Sequence, residues 1–177
     1  METRIQKGYL LVAQPQLADS PFEKTVIYLA DHDDEEGTFG FVLNKPLTEN
    51  LADLAEEALE ALPSSVPLLW GGPVATNQVG IMVQRWANGR LTFAGHQTLE
   101  EAIEDSRRPG RALKCYLGHS GWSQGQLLGE LGQGSWVLMK PTGAVLGAPE
   151  LMWRTLMHSL GGWWRLQANE PEDLGMN

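Results

Sequence analysis

Gly121-Trp122-Ser123-Gln124-Gly125 fits the G-x-S-x-G pattern that carries the nucleophile of many hydrolases when it lies between a strand and a helix. Ser123 would then need a base and an acid, and Glu150 and His158 follow it in the chain order Ser, acid, His. The plainer reading of the same residues is favoured. Ser123 three residues ahead of Gln126 is a helix N-cap with its capping-box partner, a role that needs no base, acid or oxyanion hole. The chain is therefore expected to be non-catalytic, with a serine hydrolase at Ser123 as the alternative.

Metal chemistry finds less support. Asp31-His32-Asp33-Asp34-Glu35-Glu36-Gly37 offers alternating carboxylates, but an EF-hand fails, with Glu36 in place of the loop glycine and Val42 in place of the bidentate Glu. A solvated hairpin tip fits better. Cys115 and His119 supply two zinc-type ligands where three or four are wanted, and His32, His96 and His158 are scattered. No metal and no cofactor are expected. Cys115 is the only cysteine, which excludes an intrachain disulfide and fits a reducing cytoplasm. No apolar run is long enough to span a membrane.

The 177 residues carry 13 Lys+Arg against 22 Asp+Glu, a net charge of −9, the wrong sign for affinity built on phosphate neutralisation. Direct nucleic-acid binding is disfavoured and stands as a further alternative. The dense basic stretch Arg107-Arg108-Pro109-Gly110-Arg111 with Lys114 suits a solvated helix C-terminus, or a small anion. Of seven tryptophans, Trp163-Trp164 near the end of the chain suggest a docking or self-association surface.

These residues need elements to hold them. Short Leu/Val/Ile/Tyr-rich runs bounded by Pro, Gly and Asp predict strands at 8–13, 24–30, 38–43, 66–70, 79–84, 90–94, 112–117 and 135–139, with Asn88-Gly89 as a hairpin turn. Apolar residues at helical spacing predict helices over 51–62, capped by Asn50, over about 98–106 opened by Thr98, just after Ser123, and over 151–160 ended by Gly161. Strands and helices mingle without repeat or linker, so 1–177 reads as one α+β domain, with about 166–177 a loosely held tail.

Taken in order, Leu10-Leu11-Val12-Ala13-x-Pro15, Phe22-x-x-Thr25-Val26-Ile27-Tyr28-Leu29, His32, Gly40-x-Val42-x-Asn44-Lys45-Pro46, Gly71-Gly72-Pro73-Val74, Gly118-x-x-Gly121-Trp122-x-x-Gly125-Gln126-Leu127 and Gly134-x-Trp136 resemble the bacterial YqgE/AlgH family. The resemblance spans nearly the whole chain. It implies a single α+β domain with a curved, branched, mixed sheet folding toward a pseudo-barrel, helices packed outside, and a link to transcriptional regulation. It supplies no catalytic residues.

The segments at Asn44-Lys45, Gly71-Gly72 and Gly118 to Gln126 each follow an expected strand, so their turns are expected to meet at one edge of the sheet. The ligand-binding candidates are Asn44, Lys45, Gly71, Gly72, Gly118, His119, Gly121, Trp122 and Gln126. The expectation is a cytoplasmic binding or regulatory protein that acts indirectly, through a protein or small-molecule ligand held at that cluster.

Overall fold

The computed structural model describes residues 4–48 and 62–169. The helix expected over 51–62, with its cap at Asn50, lies almost wholly outside the described residues, as does the chain beyond 169.

Eight strands form one sheet: β1 Leu10–Ala13, β2 Val26–Asp33, β3 Gly37–Val42, β4 Leu68–Trp70, β5 Val74–Ala87, β6 Arg90–Ala94, β7 Arg111–Trp122 and β8 Trp136–Met139. The helices are α1 Leu99–Ser106, α2 Gln126–Gly132, α3 Pro149–Leu160 and α4 Gly162–Ala168. The main path runs β6-β5-β7-β3-β2-β1-β8. Neighbours on it are antiparallel, while β4 pairs parallel to β7 off the path. The sheet is mixed, branched at β7 and not closed, so the architecture is α+β.

The branch follows from the length of β7. Its first part pairs with β5, Leu68 to Trp70 lie against Cys115 to Leu117, and Ser120 to Trp122 continue onto β3. Two strands are longer than their sequence pattern suggested. In β5 the added residues include the polar Thr76 to Gln78, which lie in a register shift between Val74 and Val79 with Ala75 at φ 50°, and in β7 Gly118 (φ 69°) and Gly121 have little β-propensity, so tertiary pairing rather than local preference lengthens both strands. Asn88 (φ 52°) and Gly89 (φ 69°) form the expected tight hairpin turn between β5 and β6.

Side chains alternate to two faces. Leu10, Val12, Val26, Tyr28 and Phe41 face α3, where Met152, Trp153, Leu156 and Met157 are buried. Leu11, Ala13, Ile27, Leu29 and Val42 face Trp122, Leu127 and Trp136 on the α2 side. A third cluster of Leu62, Leu68, Val83, Leu113 and Cys115 includes Ala102 of α1. Burying one such Leu contributes about 2 kcal/mol. Gly161 (φ 71°) ends α3 as expected, but the chain re-enters a helix at once and buries Ala168.

Candidate functional site

The structure distributes the candidate residues over three places. Around the G-x-S-x-G segment the helix begins later than the capping pattern implied. The N-cap of α2 is Gly125 (φ 73°), not Ser123. Half of the capping box survives, because Ser123 N–H donates to Gln126 Oε1 at 3.1 Å and Ser123 Oγ donates to the same oxygen at 3.3 Å. Gln126 Nε2 in turn donates to Glu130 Oε1 at 3.0 Å. The indoles of Trp122 and Trp136 both donate to Glu130 Oε2, at 2.9 and 2.8 Å. Glu130 is thus the anchor of this corner. Nothing in the sequence marked it except its position one helical turn after Gln126.

Among the described residues, Glu150 and His158 are not brought to Ser123. His158 Nε2 lies 2.9 Å from Asn169 Oδ1, and Glu150 lines a different cleft. Ser123 does share a groove of about 570 Å³ with His32, Asp34 and Thr38. The His32 ring is already engaged there, with Nδ1 2.8 Å from Thr38 Oγ1 and Nε2 3.2 Å from Asp34 Oδ1. At the neighbouring hairpin tip, Asp33 accepts the N–H groups of Glu35 and Glu36, which hold its carboxyl below the usual range. Among the described residues no group of three or more His, Cys, Asp or Glu side chains is placed to hold a metal ion.

The glycines at 71, 72 and 118 do come together, as a crossing of two backbones. Gly71 N–H donates to Leu117 O and Val42 N–H donates to Gly71 O, both fixing β4 between β3 and β7. A Cβ on Gly72 (φ 149°) would sit 2.2 Å from the His119 carbonyl carbon, and one on Gly118 (φ 69°) would sit 2.5 Å from Gly72 O. Ser120 Oγ closes the crossing by donating to Gly71 O at 3.1 Å. His119 packs tilted against Phe39 at 4.6 Å between ring centroids, and burial lowers its pKa. Gly121 pairs with Phe39 on open strand.

Asn44 and Lys45 belong to the third place. The Asn44 carboxamide stands in for a peptide group: its Oδ1 accepts Val26 N–H and its Nδ2 donates to Lys24 O, both at 2.8 Å. That clamp holds Lys24 in the left-handed region (φ 52°). Lys45 O accepts from Trp70 N–H, so the backbone at 45 is pinned while its side chain enters a cleft of about 710 Å³. One wall of the cleft comes from the connection between β1 and β2, with Gln14, Glu23 and Lys24. The other comes from the helices, with Glu150, Trp153 and Arg154 of α3 and Gln167 and Ala168 of α4. Trp153 ties the walls together by donating its indole N–H to Ala13 O at 2.9 Å.

Among the described residues, Gln14 Nε2 and Lys45 stand out in this cleft. Gln14 is 4% exposed, and its side-chain Nε2 is buried without a hydrogen bond. Lys45 makes no ion pair among the described residues, and burial lowers its pKa against the opposing field of Glu23. Sequence reasoning missed Gln14, Trp153 and Arg154 here, because the cleft joins segments more than a hundred residues apart.

The basic stretch also has an unforeseen structure. Asp105, 5% exposed, receives Arg85 at 2.7 Å, His96 at 3.1 Å, Arg108 at 3.7 Å and, closest, Arg111. Arg107 pairs with Glu104 at 3.0 Å. This cluster binds α1 to β5 and β7. At the other end of the chain, Trp163 is 55% exposed and packs edge-on against Trp164 at 4.7 Å. No described helix is long and apolar enough to cross a membrane.

Comparison with known proteins agrees with this architecture. The AlgH-like family model (DUF179) matches residues 10–165. A UPF0301 protein of Streptomyces coelicolor is 33% identical, covering 96% of this chain and 94% of its own. One of Cytophaga hutchinsonii is 30% identical, covering 98% of this chain and 100% of its own. Among solved structures, the AlgH protein of Pseudomonas aeruginosa superposes with a TM-score of 0.67 at 28% identity, over 97% of this chain and 99% of that one. A Corynebacterium diphtheriae protein shares the fold with a TM-score of 0.75 at 22% identity, over 95% of this chain and 94% of that one.

Proposed function

This chain belongs to the AlgH-like family, and on that premise we propose a non-catalytic binding protein whose regulatory effect, on transcription included, is indirect and runs through a ligand or partner received in the cleft beside Asn44 and Lys45. The observation that carries this reading is the cleft itself, whose volume suits a small molecule and whose lining holds Gln14 Nε2 and Lys45, neither paired among the described residues. The glycine crossing and the Glu130 corner support it from the other side, since their polar groups are committed to one another. The net charge of −9 favours an indirect route over direct contact with DNA.

The test is recovery of the tagged protein from its own cells, with nuclease treatment and a charge-matched acidic control, followed by mass spectrometry for small molecules and proteins. A near-stoichiometric companion that is lost from a Lys45→Met, Arg154→Gln double variant is the expected result. A companion retained by that variant moves the contact elsewhere, and nuclease-sensitive recovery revives the DNA reading. Covalent labelling of Ser123 by a fluorophosphonate would overturn the non-catalytic reading in favour of a hydrolase.

A further inference from the structure

We propose that the cleft receives an oxyanion, the carboxylate or phosphate end of a small molecule, between Lys45 on one wall and Arg154 on the other, with the Gln14 amide as its hydrogen-bonding partner. This rests on the binding role proposed above and names the chemistry of its ligand. Three features converge on it. First, Lys45 and Arg154 line one space from opposite walls of the cleft, with Glu23 and Glu150 beside them, in a chain of net −9. Second, neither Lys45 nor Arg154 makes an ion pair among the described residues, whereas Arg85, Arg108 and Arg111 all do. A half-buried ammonium is disfavoured until an anion joins it, and charge-assisted hydrogen bonds are the stronger kind. Third, an amide buried without a partner inside a polar cleft has a hydrogen-bond deficit that an acceptor oxygen would fill.

Other cation-rich surfaces do not match this. In the Asp105 cluster Arg85, Arg108 and Arg111 all pair with that carboxylate, although Arg85 Nε keeps no hydrogen bond among the described residues, and Arg107 and Arg4 are paired with Glu104 and Asp34. The mixed lining also limits the ligand. Glu23 and Glu150 disfavour a polyanion, so a singly or doubly charged group on a small body fits better than a polyphosphate or nucleic-acid backbone.

The experiment titrates sodium phosphate and, separately, sodium succinate into the full-length ¹⁵N-labelled protein. Ionic strength is held constant with sodium chloride, and backbone amide and tryptophan indole signals are followed. The expected result is saturable movement of the Lys45, Arg154 and Trp153 signals by at least one anion, with affinity falling about tenfold or more in Lys45→Met and in Arg154→Gln. Response to phosphate alone assigns the ligand to the phosphates, and response to succinate alone assigns it to the carboxylates. Absence of saturation by either up to about 50 mM overturns the inference, because even a millimolar site would fill. So does movement centred on Arg107 to Arg111. A companion molecule recovered from cells that binds at the cleft but is uncharged would overturn the oxyanion while leaving the binding role intact. An empty cleft in both experiments removes both.

Discussion

Charge converges in two regions of this molecule, and they treat it in opposite ways. At Asp105 a single buried carboxylate draws in Arg85, His96, Arg108 and Arg111, and the cluster pairs within the fold, with Arg85 Nε its one buried nitrogen left without a hydrogen bond among the described residues. In the cleft beside Asn44, Lys45 and Arg154 face the same space as Gln14 without closing on a partner. The difference separates structural charge from charge left available. The first region ties α1 to the β5–β7 ribbon, and the second leaves Lys45 and Arg154 without an ion pair and Gln14 Nε2 without a hydrogen bond among the described residues. Of the basic stretch, Arg111 and the more exposed Arg108 join the Asp105 cluster, while Arg107 stays solvated and pairs with Glu104.

The sharpest way to break this comparison is to remove Asp105. Deleting one partner of a buried ionic cluster leaves the others uncompensated, so Asp105→Ala should cost about 3 kcal/mol of stability, with Asp105→Asn recovering part of it. Arg154 is exposed and unpaired among the described residues, and Arg154→Gln should stay within about 0.5 kcal/mol of the parent. Urea denaturation of the three variants at neutral pH reads both values. Equal losses at Asp105 and Arg154 would erase the distinction.

A smaller effect tests how dry the Asp105 side is. Cys115 packs beneath α1 with its thiol pushed up to about 11 from an ordinary value of 9 by burial. The folded chain therefore holds a proton that the unfolded chain releases between those two values. The stability from this group is fully present below pH 9 and is lost as the pH rises through about 11, a fall of about 2 kcal/mol. Denaturation at pH 8 and pH 11 should show that fall in the parent and less of it in Cys115→Val. Iodoacetamide should leave the native thiol untouched at pH 8 and label it once the chain is unfolded.

Much of this fold was legible because local pattern and tertiary environment agree. Thr98 caps α1 by accepting Glu101 N–H at 3.2 Å, Asn88-Gly89 turns the hairpin, and β1 is a buried apolar run. Legibility failed where long-range contact decides. Gly118 to Gly121 looked like a turn but continue β7 through a left-handed Gly118 (φ 69°), since His119 pairs with Val74, Ser120 and Gly121 pair with β3, and a Cβ at 118 would meet Gly72 O at 2.5 Å. The helix start at Gly125 was read two residues early, because a serine followed by glutamine at the right spacing also describes a side chain reaching back from inside the helix. Of the residues that line the cleft, Asn44 and Lys45 were singled out in the sequence by their local motif, as part of a different turn cluster. Gln14 and Arg154 were not, since nothing near either residue records that the other lies across a cleft.

The smallest effect concerns Lys45, and its sign carries the argument. Burial lowers the Lys45 pKa, so at neutral pH the folded state carries the ammonium at a penalty that the unfolded state does not have. That penalty is greatest where the folded group is still protonated and disappears above about pH 10.5, where both states are neutral. Lys45→Met keeps most of the aliphatic stem and drops the charge. It should therefore gain stability at pH 7, by no more than about 0.5 kcal/mol once partial exposure and solvent screening are allowed for, and the gain should vanish at high pH. The same variant should lose phosphate or succinate binding. A side chain whose removal helps the fold and harms binding is held in place by what it binds, the pattern expected where stability is traded for function. If Lys45→Met instead destabilised the protein as Asp105→Ala does, Lys45 would be a structural charge like those around Asp105.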